Sequence, residues 1–150
     1  MIEFRKLTSG DYPLLLKWLQ RPHVKQYWNN GDDTLEKVTY HYALDKSQVQ
    51  YYIAMQDSQD IGFYQYNFNN NRNIGIDMFL ANADQLSQGL GTICLNAFGD
   101  FICKINDCHS LSVDPHPDNK RGIRCYEKCG YVYDDAASSA KIYLMRKTCY

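Results

Sequence analysis

Apolar and charged residues alternate from Ile2 to Leu7, the period of a strand with one covered face. The period then changes. Tyr12, Leu15, Leu16 and Leu19 recur at helical spacing, with Ser9 as cap and Pro22 as stop. His23 to Trp28 reads as a short helix or turn, and 29–33 as a polar loop. Thr34 then caps a helix to about Lys46. Val49 to Gln56 and Ile61 to Phe68 read as strands joined by the Asp57-Ser58-Gln59-Asp60 turn. Asn69 to Asn73 is a polar hairpin tip, and Asn73 to Leu80 is a central strand. Beyond it, helix and strand alternate. Ile93 to Ile105 is a helix, Asp107 to Asp114 a strand, Asn119 to Lys128 a helix and Tyr131 to Tyr133 a strand. A loop from Asp134 to Ser139 leads to a closing strand from Ala140 to Lys147. This order predicts an α+β (mixed α/β) fold in a single domain over 1–150.

Composition narrows the class. Hydrophobic residues make up 45% and aromatics 14% of 150 residues, enough for a folded core. Sixteen basic against seventeen acidic residues leave a net charge of −1, without the basic excess of a nucleic-acid binder. No apolar run is long enough to span a membrane, and the first residues lack the apolar core of a signal peptide. A cytoplasmic protein with free thiols is therefore expected. The six cysteines form no Cys-x-x-Cys pair, and the four histidines join no set with ligand spacing. No metal site is assigned.

The candidate chemistry lies after the central strand, in Gln85-Leu86-Ser87-Gln88-Gly89-Leu90-Gly91-Thr92. A glycine-rich turn that opens a helix is suited to phosphate. The first backbone N–H groups have no intrahelical partner, the helix dipole favours an anion, and glycine lets it approach. The spacing is neither that of a Walker loop nor that of a dinucleotide fingerprint. A second block follows, Ser112-Val113-Asp114-Pro115-His116-Pro117-Asp118-Asn119-Lys120-Arg121-Gly122-Ile123-Arg124-Cys125-Tyr126-Glu127-Lys128-Cys129-Gly130-Tyr131. It reads as strand end, turn, short helix, glycine stop and new strand.

Together these blocks resemble the GNAT superfamily of acetyl-CoA-dependent N-acetyltransferases. That superfamily carries an (Arg/Gln)-x-x-Gly-x-(Gly/Ala) loop and an Asn-x-x-(Ala/Gly)-x-x-x-Tyr-x-x-x-Gly-(Tyr/Phe) helix. The second pattern falls here on Asn119, Gly122, Tyr126, Gly130 and Tyr131. Leu86 stands where the loop has Arg or Gln, with Gln85 one place earlier. Within the superfamily, "GIDMFLANADQLSQGLGT", "DPHPDNKRGIRCYEKCGY" and "RPHVKQYW" are most similar to the aminoglycoside N(6′)-acetyltransferases.

The resemblance implies a mostly antiparallel twisted sheet flanked by helices and splayed at the acetyl-CoA site. It implies acetyl-CoA as donor, no metal, and a small-molecule amine as acceptor, most nearly the 6′-amine of an aminoglycoside, hence antibiotic resistance. The working unit would be a monomer or homodimer. Gln88, Gly89, Leu90, Gly91 and Thr92 would hold the pyrophosphate, Asn119 the pantetheine side, and an N–H near Phe79 the thioester carbonyl. Asp77 would deprotonate or anchor the reactive amine, and Tyr126 would protonate the leaving thiolate. Asp114 would bind a second cationic group, and Trp28 would wall a sugar ring. Asp32, Asp33 and Glu36, with Asp134 and Asp135, are further acidic clusters. A siderophore precursor, a polyamine or a peptide N-terminus would suit the same chemistry, and a non-catalytic acyl-CoA-binding domain would share the cofactor motifs.

Overall fold

The computed structural model describes residues 1–69, 72–149 of the chain. Strands β1 (Ile2–Lys6), β2 (Val49–Gln56), β3 (Gln59–Phe68), β4 (Asn73–Leu80), β5 (Ser110–Val113), β6 (Val132–Tyr133) and β7 (Met145–Thr148) form one sheet. Their order is β1-β2-β3-β4-β5-β7-β6. Helices are α1 (Tyr12–Leu19), α2 (Pro22–Lys25), α3 (Leu35–His41), α4 (Leu90–Ile105) and α5 (Lys120–Lys128). β1–β2, β5–β7 and β6–β7 pair antiparallel, whereas β4–β5 is parallel. The chain divides into two compact units, 1–65 with 78–84, and 66–77 with 85–150. β3 and β4 pass through both.

The first unit is built around aromatic residues. Leu15, Val38, Ile53 and Phe63 are fully buried there, with Tyr42 and Trp18 nearly so. Phe63 packs against Tyr42, Tyr51 and Phe79 at ring distances of 5.4–6.0 Å. Burying such side chains is the main favourable contribution, about 1.5–3 kcal/mol for each large apolar group. Thr8, rather than Ser9, opens the first helical segment. Its N–H donates to Asp11 at 2.8 Å, and residues 9–11 form a 3-10 turn ahead of α1. Pro22 starts α2 at its first turn, where its missing N–H costs nothing. Thr34 caps α3 as expected, accepting from the Lys37 N–H at 3.2 Å.

α3 ends at His41 rather than near Lys46. Tyr42 leaves the helical region, and the Lys46 ammonium donates to the His41 carbonyl. That bond satisfies a carbonyl that another helical turn would have used. The turn between β2 and β3 shrinks to Asp57-Ser58, both at positive φ, the geometry of a two-residue hairpin turn.

In the second unit, Phe98 of α4 packs on Tyr66 at 6.2 Å, and Ile74, Leu95, Ile102 and Met145 are nearly inaccessible. Gly99 lets α4 approach β5: a Cβ there would lie 3.2 Å from Leu111 Cδ1. The closing strand begins at Met145, not Ala140. Ser138 Oγ accepts from the Leu144 N–H at 3.0 Å and donates to the Asp134 carbonyl at 2.6 Å. A side chain thus takes the backbone group that a longer strand would have paired. Of the polar hairpin tip, Asn70 and Asn71 lie outside the described residues. Asn67 donates to Asn69 at 2.8 Å, and the pair crowds Gly75, where a Cβ would lie 2.8 Å from Asn67 Oδ1.

Candidate active site

The parallel ladder places the reactive groups. β4 and β5 pair at Asn73–Ser110, Ile74–Leu111 and Gly75–Ser112. β4 then continues through Ile76 and Asp77, while β5 ends at Val113 and hands the chain to Asp114. The paired ladder thus stops just before the two aspartates, where the sheet was expected to splay. In-register parallel strands carry both residues past the same end of the ladder. Their carboxyl groups hydrogen-bond each other.

That contact has electrostatic consequences. Asp114 is exposed at its surface, yet enough protein surrounds its carboxyl that desolvation raises its pKa above the usual carboxylate range. The hydrogen bond from Asp77 acts in the opposite direction without cancelling the rise. Two carboxyl groups this close concentrate acidic character at one point, which suits a positively charged partner.

Tyr126 lies on the buried side of α5, 9% exposed. Burial is the main cause of its raised phenol pKa, with smaller contributions from Cys125, Asp77 and Asp114. The phenol remains protonated at neutral pH and is therefore a donor, not a base. Asp77, Asp114 and Tyr126, distant in sequence, form one electrostatic group.

The loop before α4 has the conformation an anion site requires. Ser87 and Gly89 have φ of 62° and 84°, and Gly89 is the residue before the helix. Having no side chain, Gly89 cannot cap α4. The helix's first intrahelical bond runs from the Ile93 N–H to the Gly89 carbonyl at 3.1 Å. The N–H groups of Leu90, Gly91 and Thr92 precede that bond. Positive φ at alternate loop positions followed by a helix start is an arrangement that cradles phosphate oxygens. Gln88 is exposed on this loop.

Asn119 caps α5, its Oδ1 accepting from the Gly122 N–H at 3.0 Å. Gly122 makes room for this cap: a Cβ would lie 2.6 Å from Asn119 Nδ2. The oxygen is thus engaged by the helix, leaving the amide nitrogen for any ligand.

One feature of this region has no sequence signal. Thr92 Oγ1 lies 3.7 Å from Cys125 Sγ, and Cys129 Sγ donates to the Thr92 carbonyl at 3.6 Å. The neighbouring Cys129 thiol lowers the Cys125 pKa, assisted by Thr92 and Lys128, against the opposing effect of burial. Two thiols one helical turn apart on α5 thus meet the start of α4. Only the fold supplies Thr92 as their partner.

The remaining candidates have their own surroundings. In the first unit, Phe79 is 8% exposed and packs edge-on against Trp28 and Trp18, at 5.2 and 6.3 Å. Trp28 is half-buried, and its indole N–H donates to the Tyr42 hydroxyl at 3.0 Å. It also lines a cavity of about 270 Å³ with Leu19, Lys25, Asn29, Asp32 and Asp33. Both acids there already have cationic or ionisable partners, Asp32 with His41 Nδ1 at 2.9 Å and Asp33 with Lys37 at 2.8 Å. In the second unit, Asp134 pairs with Arg146 at 3.2 Å and bonds the Ala137 N–H, a structural use of that charge.

Comparison with known proteins accords with this geometry. Residues 8–138 match the acetyltransferase (GNAT) domain family. An aminoglycoside N(6′)-acetyltransferase type 1 from Klebsiella pneumoniae is 33% identical over 147 residues, covering 87% of this chain and 73% of that protein. Among solved structures, aminoglycoside acetyltransferase AAC(6′)-Ib with coenzyme A superposes with a TM-score of 0.88 at 31% identity, covering 99% of this chain and 95% of that one. The same enzyme with coenzyme A and kanamycin gives 0.89 at 30% identity, with the same coverage. The chain belongs to the GNAT family of acetyl-CoA-dependent N-acetyltransferases.

Proposed function

We propose that this enzyme transfers the acetyl group of acetyl-CoA to the 6′-amine of an aminoglycoside, and that it thereby confers resistance to the drug. The observation that carries the proposal is the hydrogen-bonded Asp77–Asp114 pair with the buried Tyr126 in the same electrostatic group. Two adjacent carboxyl groups are matched to an acceptor with more than one ammonium, because each can take one cation. A polyamino sugar fits that requirement, and relatives at about 30% identity carry this activity in their names.

The mechanism is direct attack in a ternary complex. The pyrophosphate sits on the N–H groups of Leu90, Gly91 and Thr92, with Gln88 and Gly89 shaping the loop and Asn119 on the pantetheine side. The backbone N–H near Phe79 polarises the thioester carbonyl, so that the tetrahedral oxyanion is met by a fixed dipole. Asp77 takes the ammonium proton or holds the amine, and Asp114 holds a second ammonium. Tyr126 gives its proton to the departing thiolate. Trp28 walls the sugar. The catalytic body is the single domain 1–150, acting as monomer or homodimer in the cytoplasm, where acetyl-CoA is supplied. No metal takes part.

A thiol-release assay with acetyl-CoA tests the acceptor. Aminoglycosides bearing a 6′-amine should release coenzyme A, and analogues with a 6′-hydroxyl should not. Faster turnover on spermidine or a hydroxylamine-bearing amine would transfer the assignment to those acceptors. Coenzyme A binding without release on any amine would make the chain a binding domain.

A further inference from the structure

We propose that Cys103, Cys108 and Cys149 form a binding site for one thiophilic d10 cation, Zn²⁺ or Cd²⁺, separate from the acetyl-transfer chemistry. The three thiols come from three places: the last turn of α4, the connection from α4 to β5, and the residue after β7. Their sulfur atoms all lie within 4.8 Å of one another. Cys149 Sγ is 2.8 Å from Cys103 Sγ and 2.6 Å from Cys108 Sγ. Zinc–thiolate bonds are about 2.3 Å and tetrahedral, which puts ligating sulfurs nearly 4 Å apart. Small side-chain rotations therefore bring all three sulfurs onto one ion.

Backbone hydrogen bonds hold these positions. The Cys149 N–H donates to the His109 carbonyl at 2.9 Å, and the His109 N–H to the Arg72 carbonyl at 2.8 Å. Asn106, between the first two cysteines, bonds the Ile102 carbonyl through both its N–H and its side chain, at 3.1 and 3.0 Å. All three cysteines are half-buried, so an ion can enter and keep a solvent molecule as fourth ligand. A disulfide is the poorer use of this geometry. Cys149 is near both other sulfurs, and a bond to either leaves the third thiol out, whereas an ion engages all three. Burial raises each thiol to about 11, so the empty site is protonated and inert as a nucleophile, and loading releases protons.

Cadmium titration of the fully reduced enzyme tests the site through the ultraviolet sulfur-to-cadmium charge-transfer band. The expected result is saturation at one ion per chain, displacement by Zn²⁺, and a higher thermal midpoint with either ion. Cys149→Ser and, independently, Cys108→Ser should weaken binding tenfold or more, whereas Cys125→Ser should bind as the parent does. Far-ultraviolet circular dichroism reports whether each variant is folded. The proposal is overturned if the reduced parent shows no saturable band, or if folded Cys149→Ser and Cys108→Ser variants bind unchanged. It is also overturned if mass measurement of the protein kept under reductant shows two hydrogens lost to a Cys149 disulfide.

Discussion

In the first unit, the Asp11 carboxylate is gripped by a cation: Arg5 Nη1 and Nη2 donate to its two oxygens at 2.8 and 2.9 Å. Asp60 takes a further bond from the same guanidinium at 3.0 Å. In the second unit, the Asp114 carboxyl is hydrogen-bonded to another carboxyl, that of Asp77. The Arg5 bond is the first cause of Asp11 lying below its usual pKa, while burial drives Asp114 above. Asp11 has its counter-charge built in, and folding gains from it. Among the described residues Asp114 has no equivalent cationic grip, and the ammonium of the proposed acceptor would supply one. An internally satisfied charge serves the fold; a charge that awaits a partner serves binding.

The contrast breaks most severely at Asp77. Asp77→Asn keeps the shape and removes the base, so turnover on an amine should fall on the order of a hundredfold or more. Acetyl-CoA binding and thermal stability should be retained, because the loop before α4 is untouched. Partial rescue at higher pH identifies proton removal as the lost step; a raised KM without rescue identifies anchoring. Full activity across the pH range takes Asp77 out of the site.

Next comes Tyr126→Phe, which leaves the ring packed against Tyr131 at 6.3 Å and deletes the donor. A kcat loss of roughly tenfold with unchanged coenzyme A affinity is expected for lost assistance to the thiolate. Turnover equal to the parent enzyme would mean that water protonates the leaving group.

These residues show where sequence reading succeeds. Val49–Gln56 and Asn73–Leu80 have the bounds that their apolar pattern predicts, because burial follows the pattern along both strands. Asp77, Asp114, Tyr126 and the Gly89 loop are proposed for the site from local motifs and the family resemblance those motifs carry. What is not legible depends on pairing across the chain. Nothing local says that the β4–β5 register brings Asp77 and Asp114 into one hydrogen bond, or that Thr92 meets Cys125. The same holds for Cys103, Cys108 and Cys149, which share no motif. Boundaries fail where a side chain takes a backbone partner: Lys46 ends α3, and Ser138 delays the closing strand to Met145.

The first unit supplies the opposite test. Asp11→Asn should cost about 1 kcal/mol, at the low end for charge-assisted bonds because Arg5 is 33% exposed and partly screened. kcat and both substrate KM values should not change. The parent enzyme's contribution from Asp11 is full above the unfolded carboxylate pKa of about 3.9 and is lost as pH falls through the lower folded value. Urea midpoints of parent and variant should therefore converge in acid. A loss of activity larger than the loss of folded protein would break the division of labour.

The smallest effect is the stability of Asp114→Asn, and its sign is reversed. A carboxyl whose folded pKa is raised contributes fully below the unfolded value of about 3.9. Its contribution declines as pH rises towards the folded pKa, because the unfolded chain releases the proton first. Asparagine has no such loss. The variant's urea midpoint relative to the parent should therefore rise from acid through that window and level off once pH exceeds the folded pKa. At the same time its KM for a polycationic acceptor should rise, since one ammonium partner is gone. The stability gain and the binding loss come from the same desolvated carboxyl, so both must appear. A stability gain without a change in KM would make Asp114 a structural carboxyl. A KM rise with a flat difference in stability across pH would mean that Asp114 binds the acceptor as an ordinary solvated carboxylate.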